Sequence, residues 1–490
     1  MLSRTSSGAL LGALLAFVVA GHPLAAASQG EQGLESRLAL ETGKDPRDGS
    51  RISRGTHTVF EDRMSQAGRQ LHLDVVILRA RARHPRADPV FVLAGGPGVN
   101  AVGMVDGHRN SWMRSDRDLV FVSQRGTGGD HSLRFRSHGN DDSLQGDLEP
   151  LFDPEACRAA LKELSKRADL TQYSTPIAMD DLNEVREALG YEKINLYGGS
   201  YASRAILIYL RRHPETVRCA ILMGIAPLAF KNPLYHAWSA QQGLETIFQE
   251  VEENPRYRRA FPRLRQRFDE LLAQLEREPA RVTVTHPETG RPEEVTLTRC
   301  AFAEGLRTLM YYNEGNRKVP RLLLAAHDGN LAPFAEASLS VNRRLRNIIS
   351  FGMLLSVTAA EDVARIEEEE IVRLTKGTFL GDGRVRRQMA VCEFWPKSDL
   401  PEGFGDPVRC DVPMLVISGT HDPVTPPAFG EEVARHCKNA LHLALPGTHG
   451  ISHPALTKVM QEFLEEASTK HLDLRPLSEV QLPAFELPQR

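Results

Sequence analysis

Short apolar runs that end in glycine-rich turns alternate with segments of helical period along much of this chain. Two β-like runs, Thr56–Phe60 and Leu71–Leu78, flank a turn at Gln66-Ala67-Gly68 and predict an N-terminal hairpin. Pro89–Leu93 and Asp118–Val122 follow as buried-strand patterns, each running into a glycine-containing loop. Over Met179–Leu189 the apolar residues Leu182, Val185 and Leu189 share one helical face, and Gly190 is a stop signal. A strand over Ile194–Tyr197, a helix over Ser203–Arg212 and a strand over Arg218–Met223 come next. Near-continuous apolar strands alternating with helices predict an α/β fold, a mostly parallel, doubly wound sheet covered on both faces.

The pattern changes at about Pro227. Helical stretches dominate to Trp395 (Ala237–Glu252, Arg263–Glu276, Val319–His327, Glu361–Leu374), and strand-like segments are few. This predicts an inserted helical cap over 227–395 that divides the core into 28–226 and 396–470. The Glu367–Glu370 run reads as a solvated helix face. Strand and helix patterns resume at Met414–Ser418, Ala428–His436, Leu441–Leu445 and Pro454–Ala467. Ser28–Ser53 reads as a polar leader, and the Pro-rich tail 471–490 is expected to pack loosely.

Hydrophobic content of 41% and charged content of 25% are those of an ordinary globular protein. A formal charge of −3 over 490 residues gives no electrostatic case for nucleic acid or an anionic membrane. The N-terminus is different in kind. Arg4 precedes an apolar run from Ala9 to Ala20, His22-Pro23 breaks it, and Ala25-Ala26-Ala27 offers small residues for cleavage. Such a run is too short to span a bilayer, so residues 1–27 predict a cleavable secretory signal and a secreted or periplasmic protein without stable membrane insertion. In that compartment the six cysteines (157, 219, 300, 392, 410, 437) favour disulfides, although their spacing selects no pairing. No C-x-x-C or zinc-like spacing occurs, and neither metal nor cofactor is expected.

Chemistry concentrates at strand ends. Gly198-Gly199-Ser200-Tyr201-Ala202 follows an apolar strand and opens a helix, the setting of a nucleophile elbow. Taken alone it could equally be an ordinary βα turn. A serine nucleophile needs a base, and the base an orienting acid. Asp422 lies just past the Met414–Ser418 strand and His449 just past Leu441–Leu445, in the chain order of this architecture. Asp422 could instead form a turn before Pro423. His421 and His453 compete with His449, but one neighbours the acid and the other opens the last helix. Asp411 sits at the wrong end of its strand. After Pro89–Leu93, Ala94-Gly95-Gly96-Pro97-Gly98 lets the main chain approach a substrate. Gly95 or Gly96 would give one oxyanion N–H and Tyr201 the other. A phosphate loop is disfavoured because Pro97 lacks an N–H and no Lys-Ser/Thr follows.

Gly-Gly-Pro-Gly at 95–98, Ser-Gln-Arg-Gly-Thr-Gly at 123–128, and Asp181-Leu182 with Arg186 and Leu189-Gly190-Tyr191 leading into Gly-Gly-Ser-Tyr resemble the α/β-hydrolase peptidases. More narrowly, they are similar to the proline iminopeptidase and tripeptidyl aminopeptidase group. The resemblance covers about Val90–Pro227 and Val412–His453, and touches Gly352–Asp362 and Cys392–Pro396. It implies an α/β-hydrolase core with a cap, cleavage of short peptides with a free N-terminus, and Ser200, Asp422 and His449 as its Ser-Asp-His set. It also implies cap acids that bind the substrate amine, matching Glu361 and Asp362. A buried ammonium does need a paired carboxylate; Glu361 could equally be an N-terminal helix acid near Thr358. Three departures stand out: Ala94 replaces a usual histidine, Ala202 replaces the last elbow glycine, and no cysteine lies near Ala359 to pair with Cys392.

Together these features lead to an exported serine hydrolase, an exo-acting aminopeptidase whose cap admits only short peptides. An esterase or lipase-like enzyme on the same residues is the first alternative, and a catalytically inactive binding protein the second. Nothing in the chain specifies the oligomeric state.

Overall fold

The computed structural model describes residues 37–136 and 143–488; the expected secretory signal, 1–27, lies outside them. Eleven strands are present among the described residues: β1 (Leu38–Lys44), β2 (Arg51–Asp62), β3 (Ala67–Leu78), β4 (Val90–Val92), β5 (Leu119–Val122), β6 (Ile194–Ser200), β7 (Val217–Ile225), β8 (Ala280–Thr285), β9 (Pro292–Leu297), β10 (Met414–Gly419) and β11 (Ala440–Leu445). Nine form one sheet in the order β1-β2-β3-β5-β4-β6-β7-β10-β11. The six strands from β5 to β11 run parallel, and the β1-β2-β3 meander joins β5 antiparallel.

Consecutive residues of a strand point to opposite faces, and here both faces are covered. Phe91, Val120, Leu196, Met414 and Val416 face a core shared with the helices Thr175–Ala188 and Tyr201–Arg212. Their neighbours Val90, Val92, Phe121, Leu415 and Ile417 face the other core, closed by the helix Pro454–Glu466. The expected β2–β3 hairpin forms, with Phe60 opposite Gln70. No charge run or β-branched cluster marks β1, which lies inside the stretch read as a polar leader. It is an edge strand, mostly exposed, so burial imposes little pattern on it.

The segment 227–395 contributes to two cores. Helices His236–Glu253, Leu264–Arg277, Arg299–Leu309, Asn313–His327 and Ala332–Ile348 enclose one of their own with the β8–β9 hairpin, which the helical reading missed. Helices Phe351–Glu361, Glu368–Thr375 and Gly383–Phe394 pack instead on the core beneath the sheet. The expected continuous helix Glu361–Leu374 is thus broken, and Glu361 ends a helix rather than starting one. That preceding helix, Phe-Gly-Met-Leu-Leu-Ser-Val-Thr-Ala-Ala-Glu, is buried on every side and has no amphipathic period to detect. Glu367–Glu369 are exposed as expected, and Glu367 and Glu370 form a capping box.

The tail corrects the expectation of loose packing. Leu477 and Val480 bury beside the helix Pro454–Glu466, and Phe485 enters the insertion's core. The Phe485 N–H donates to Tyr257 Oη at 3.3 Å, and the Arg317 guanidinium lies 4.0 Å from the Phe485 ring centroid. Three apolar anchors outweigh the extended, proline-rich composition around them. Among the described residues no helix is long and apolar enough to cross a membrane.

Candidate active site

Ser200 stands where β6 turns into the helix Tyr201–Arg212, at φ 60° and ψ −131°. A non-glycine residue at positive φ is costly and holds only where the surroundings determine it. Here strand and helix nearly touch. A Cβ on Gly198 would lie 2.6 Å from Ala202 Cβ, and one on Gly199 would lie 3.0 Å from the Met223 carbonyl oxygen. Ser203, unremarked in the sequence, pins the turn: its hydroxyl donates to Ser200 O at 2.6 Å and accepts from the Ala226 N–H at 2.9 Å.

Asp422 and His449 come together because their loops cross-link. Thr420 N–H donates to Leu445 O (2.9 Å) and His421 N–H to Gly447 O (2.8 Å). Gly419 permits this approach, since a Cβ there would meet Thr448 O at 2.1 Å. The His449 Nδ1 lies 2.8 and 3.0 Å from the two Asp422 carboxylate oxygens. The carboxylate also accepts from Val424 N–H (2.8 Å), Thr425 N–H (2.9 Å) and Thr425 Oγ1 (2.8 Å). Burial would raise the Asp422 pKa, but the neighbouring imidazole and these donors outweigh it and hold it below the usual carboxylate value. An ionised Asp422 keeps the proton on Nδ1, so Nε2 carries the free lone pair. That Nε2 is buried and has no hydrogen-bond partner. His421 instead lies 3.6 Å from Glu250, and His453 caps the last helix by accepting from Ala455 N–H.

Ser200 and His449 line one cavity of about 380 Å³, together with Gly95, Gly96 and Tyr201. Gly95 packs directly on the serine: a Cβ there would be 3.4 Å from Ser200 Cβ. Tyr201 is the first residue of its helix, where N–H groups have no intrahelical acceptor. Its phenol is held by Gln124 Nε2 (2.9 Å) and Thr175 Oγ1 (2.8 Å). The Gly-Gly-Pro-Gly loop is tied to the insertion by the Ser350 N–H, which donates to Gly98 O at 2.8 Å, while Ser350 Oγ donates to Gly126 O at 2.7 Å.

The two acids proposed for amine binding are both buried but differently placed. Asp362 lines the cavity and Glu361 does not. Glu361 accepts from the Thr175 N–H at 2.6 Å, and burial pushes its pKa up to about 7 despite Arg204 nearby. Arg204, which the sequence reading did not single out, binds Asp362 Oδ1 at 2.7 Å and lies 3.9 Å from Glu361. It also donates to the carbonyls of Pro227 and Phe230. Asp362 Oδ2 is left buried without a partner. The disulfides expected from the cysteine count do not form: all six cysteines are free thiols, and even Cys410 and Cys437 keep their sulfurs 3.9 Å apart, beyond bonding distance.

A mostly parallel sheet covered by helices, with a serine, a histidine and an aspartate at its carboxyl edge, defines a hydrolase architecture. The alpha/beta hydrolase fold profile matches residues 88–453, and the chain belongs to that family. Among curated proteins it is 32% identical over 160 residues to the proline iminopeptidase of Neisseria gonorrhoeae, 33% of this chain and 39% of that protein. It is 24% identical over 316 residues to serine protease Hip1 of Mycobacterium tuberculosis, 57% of this chain and 56% of that one. The chain thus spans about half the length, or less, of these relatives (39% and 56%). The solved proline iminopeptidase of Mycobacterium smegmatis aligns with 84% of this chain and 98% of its own at 17% identity, with a TM-score of 0.40. An esterase from Exiguobacterium antarcticum aligns with 81% and 95% at 14% identity and a TM-score of 0.36.

Proposed function

We propose that this protein is an exported serine peptidase that removes residues from the free N-terminus of short peptides. One arrangement supports it above all. A serine on a strained turn shares a cavity with an imidazole whose Nε2 is free and whose Nδ1 is held by a buried aspartate.

Ser200 Oγ attacks the scissile carbonyl carbon while its proton passes to His449 Nε2. The imidazolium that forms is stabilised by Asp422. The carbonyl oxygen becomes an oxyanion, facing the N–H groups of Tyr201 and of Gly95 or Gly96. Collapse breaks the C–N bond, and the His449 proton goes to the departing amine. Water then repeats the sequence on the acyl-serine ester and releases the acid. Asp362 Oδ2 is the acceptor available to a substrate ammonium at the cavity wall, with Arg204 taking the other oxygen. Glu361 is bound to the Thr175 N–H, lies outside the cavity lining and does not meet substrate.

Wild type and Ser200→Ala should be assayed on aminoacyl and peptidyl amides with free and blocked N-termini, beside simple esters. Serine-dependent amide cleavage that is lost on blocking is the expected result. Ester cleavage alone would refute the peptidase reading, and no serine-dependent turnover would leave only a binding role. Export is checked by intact mass, which should lack residues 1–27.

A further inference from the structure

The wall of the cavity opposite in charge to Asp362 is unusual. Arg307, Arg346 and Arg384 all line it, with the half-buried carboxylate of Glu304 among them. Arg307 Nε and Arg384 Nη1 share one oxygen of Glu304, Oε2, at 3.1 and 3.4 Å. Arg346 binds no carboxylate at this wall: its two Nη atoms donate to the carbonyls of Gly146 (2.6 Å) and Glu149 (2.7 Å). Arg384 Nε is buried without a partner. Asp147 binds Arg343 at 2.8 Å and also attracts Arg346, and Glu149 is exposed and accepts from Gln145. Arg307 and Arg384 therefore share one carboxylate oxygen, while Arg346 beside them is held by main-chain carbonyls. Buried charge left uncompensated is costly, and a second anion relieves it.

The wall lies close to the reacting groups. Arg307 Nη1 donates to Tyr311 Oη at 2.8 Å, and the Tyr311 ring packs edge-on against the His449 imidazole with centroids 5.4 Å apart. The His449 N–H also donates to Tyr311 O at 3.2 Å. One aromatic ring thus separates the arginine wall from the base. Burial, then Arg307 and Arg384, hold the neighbouring His236 well below its ordinary pKa, as expected in an electropositive pocket.

We infer that Arg307, Arg346 and Arg384 form a carboxylate-binding subsite that selects substrates bearing an anionic group within a few bonds of the cleaved one. Guanidinium forks match carboxylate geometry, and the free Arg384 Nε–H supplies a donor. The carboxylate is either the C-terminus of a very short peptide or an acidic side chain. The inference rests on the peptidase reading only for the identity of the substrate.

Two substrate pairs test it: one short peptide as free acid and as C-terminal amide, and one amidated peptide carrying Glu or Gln. For wild type, kcat/KM should favour the anionic member of one pair by about 10- to 100-fold, and the responding pair identifies the source of the carboxylate. The preference should fall to about threefold or less in Arg384→Gln and lie between in Arg384→Lys, which keeps charge but loses the fork. Thermal melting shows whether each variant is folded. Equal rates within both pairs for wild type, or an undiminished preference in folded Arg384→Gln, overturns the inference. If no peptide is cleaved, the peptidase reading falls, and calorimetric binding of the same pairs to Ser200→Ala decides the subsite separately. Tighter binding of the anionic member supports it; equal or absent binding overturns it.

Discussion

The contact between Gly198 and Ala202 offers a quantitative test of how the serine turn is built. In Gly198→Ala the added methyl would lie 2.6 Å from Ala202 Cβ, 3.3 Å from Ile206 Cδ1 and 3.4 Å from Leu93 Cβ. Carbon atoms prefer about 3.5–4.0 Å, so the first contact is a hard overlap and the others are tight. Overpacking of this kind costs about 1–3 kcal/mol. Ala202→Gly removes a fully buried methyl from the start of the helix, a loss of about 0.8 kcal/mol in burial and up to about 1 kcal/mol in helix propensity. If the sites were independent, the double variant would lose about 2–5 kcal/mol. Moving the methyl from 202 to 198 instead relieves the overlap, and the double variant should recover about 1–2 kcal/mol of that sum. The midpoint of the first thermal transition reads stability, and kcat on a chromogenic ester reads the position of Ser200. Gly198→Ala should lower kcat by about 10- to 100-fold through displacement of the hydroxyl, and Ala202→Gly should restore much of it. Additive losses in both readouts would refute the reasoning, because the overlap would then not be what couples strand to helix.

Three further outcomes follow from the site. Asp422→Asn frees the imidazole to adopt the wrong tautomer and should lower kcat by about 10³- to 10⁴-fold with KM little changed; a loss below tenfold would remove Asp422 from its role. Glu361, whose pKa is raised from 4.5 to about 7, binds its proton more tightly in the folded state, so its contribution to stability is present below pH 4.5 and lost as pH rises through about 7. Glu361→Gln should therefore match wild type near pH 4.5 and melt higher above pH 7, by the equivalent of a few kcal/mol; parallel melting curves across that range would contradict the assignment. The thiols of Cys410 and Cys437 should join under a disulfide oxidant, losing two hydrogens to it and closing a loop of 27 residues. Peptide mapping should find that link first among the cysteines, with a gain of about 3 kcal/mol; another pairing, or none, would count against it.

Much of the sheet was legible because buried parallel strands must be apolar on both faces, and glycine loops mark their ends. Thus β4, β5, β6, β7, β10 and β11 all coincide with short apolar runs, and Ser200, Asp422 and His449 all follow such runs. Segments whose burial depends on distant partners were not legible. The edge strand β1 and the β8–β9 hairpin are stabilised by pairing, and the helix Phe351–Glu361 is buried on every side and lacks a period. Likewise Leu477, Val480 and Phe485 look unremarkable in a proline-rich tail until the surfaces that receive them exist.

Local patterning by itself determined the α/β class and the strand-end loops, and it placed Ser200, Asp422 and His449 at the ends of apolar runs, since those depend on periodicity and turn chemistry along the chain. Only the tertiary structure decided what surrounds them. Arg204, from the helix after the serine, neutralises one oxygen of Asp362, and Glu361 turns to Thr175 instead of the cavity. Arg307 and Arg384, from two separate helices, converge on Glu304, and Arg346, from a third, lines the same cavity. Charge balance in a closed cavity is a sum over groups far apart in sequence, and no window along the chain contains it.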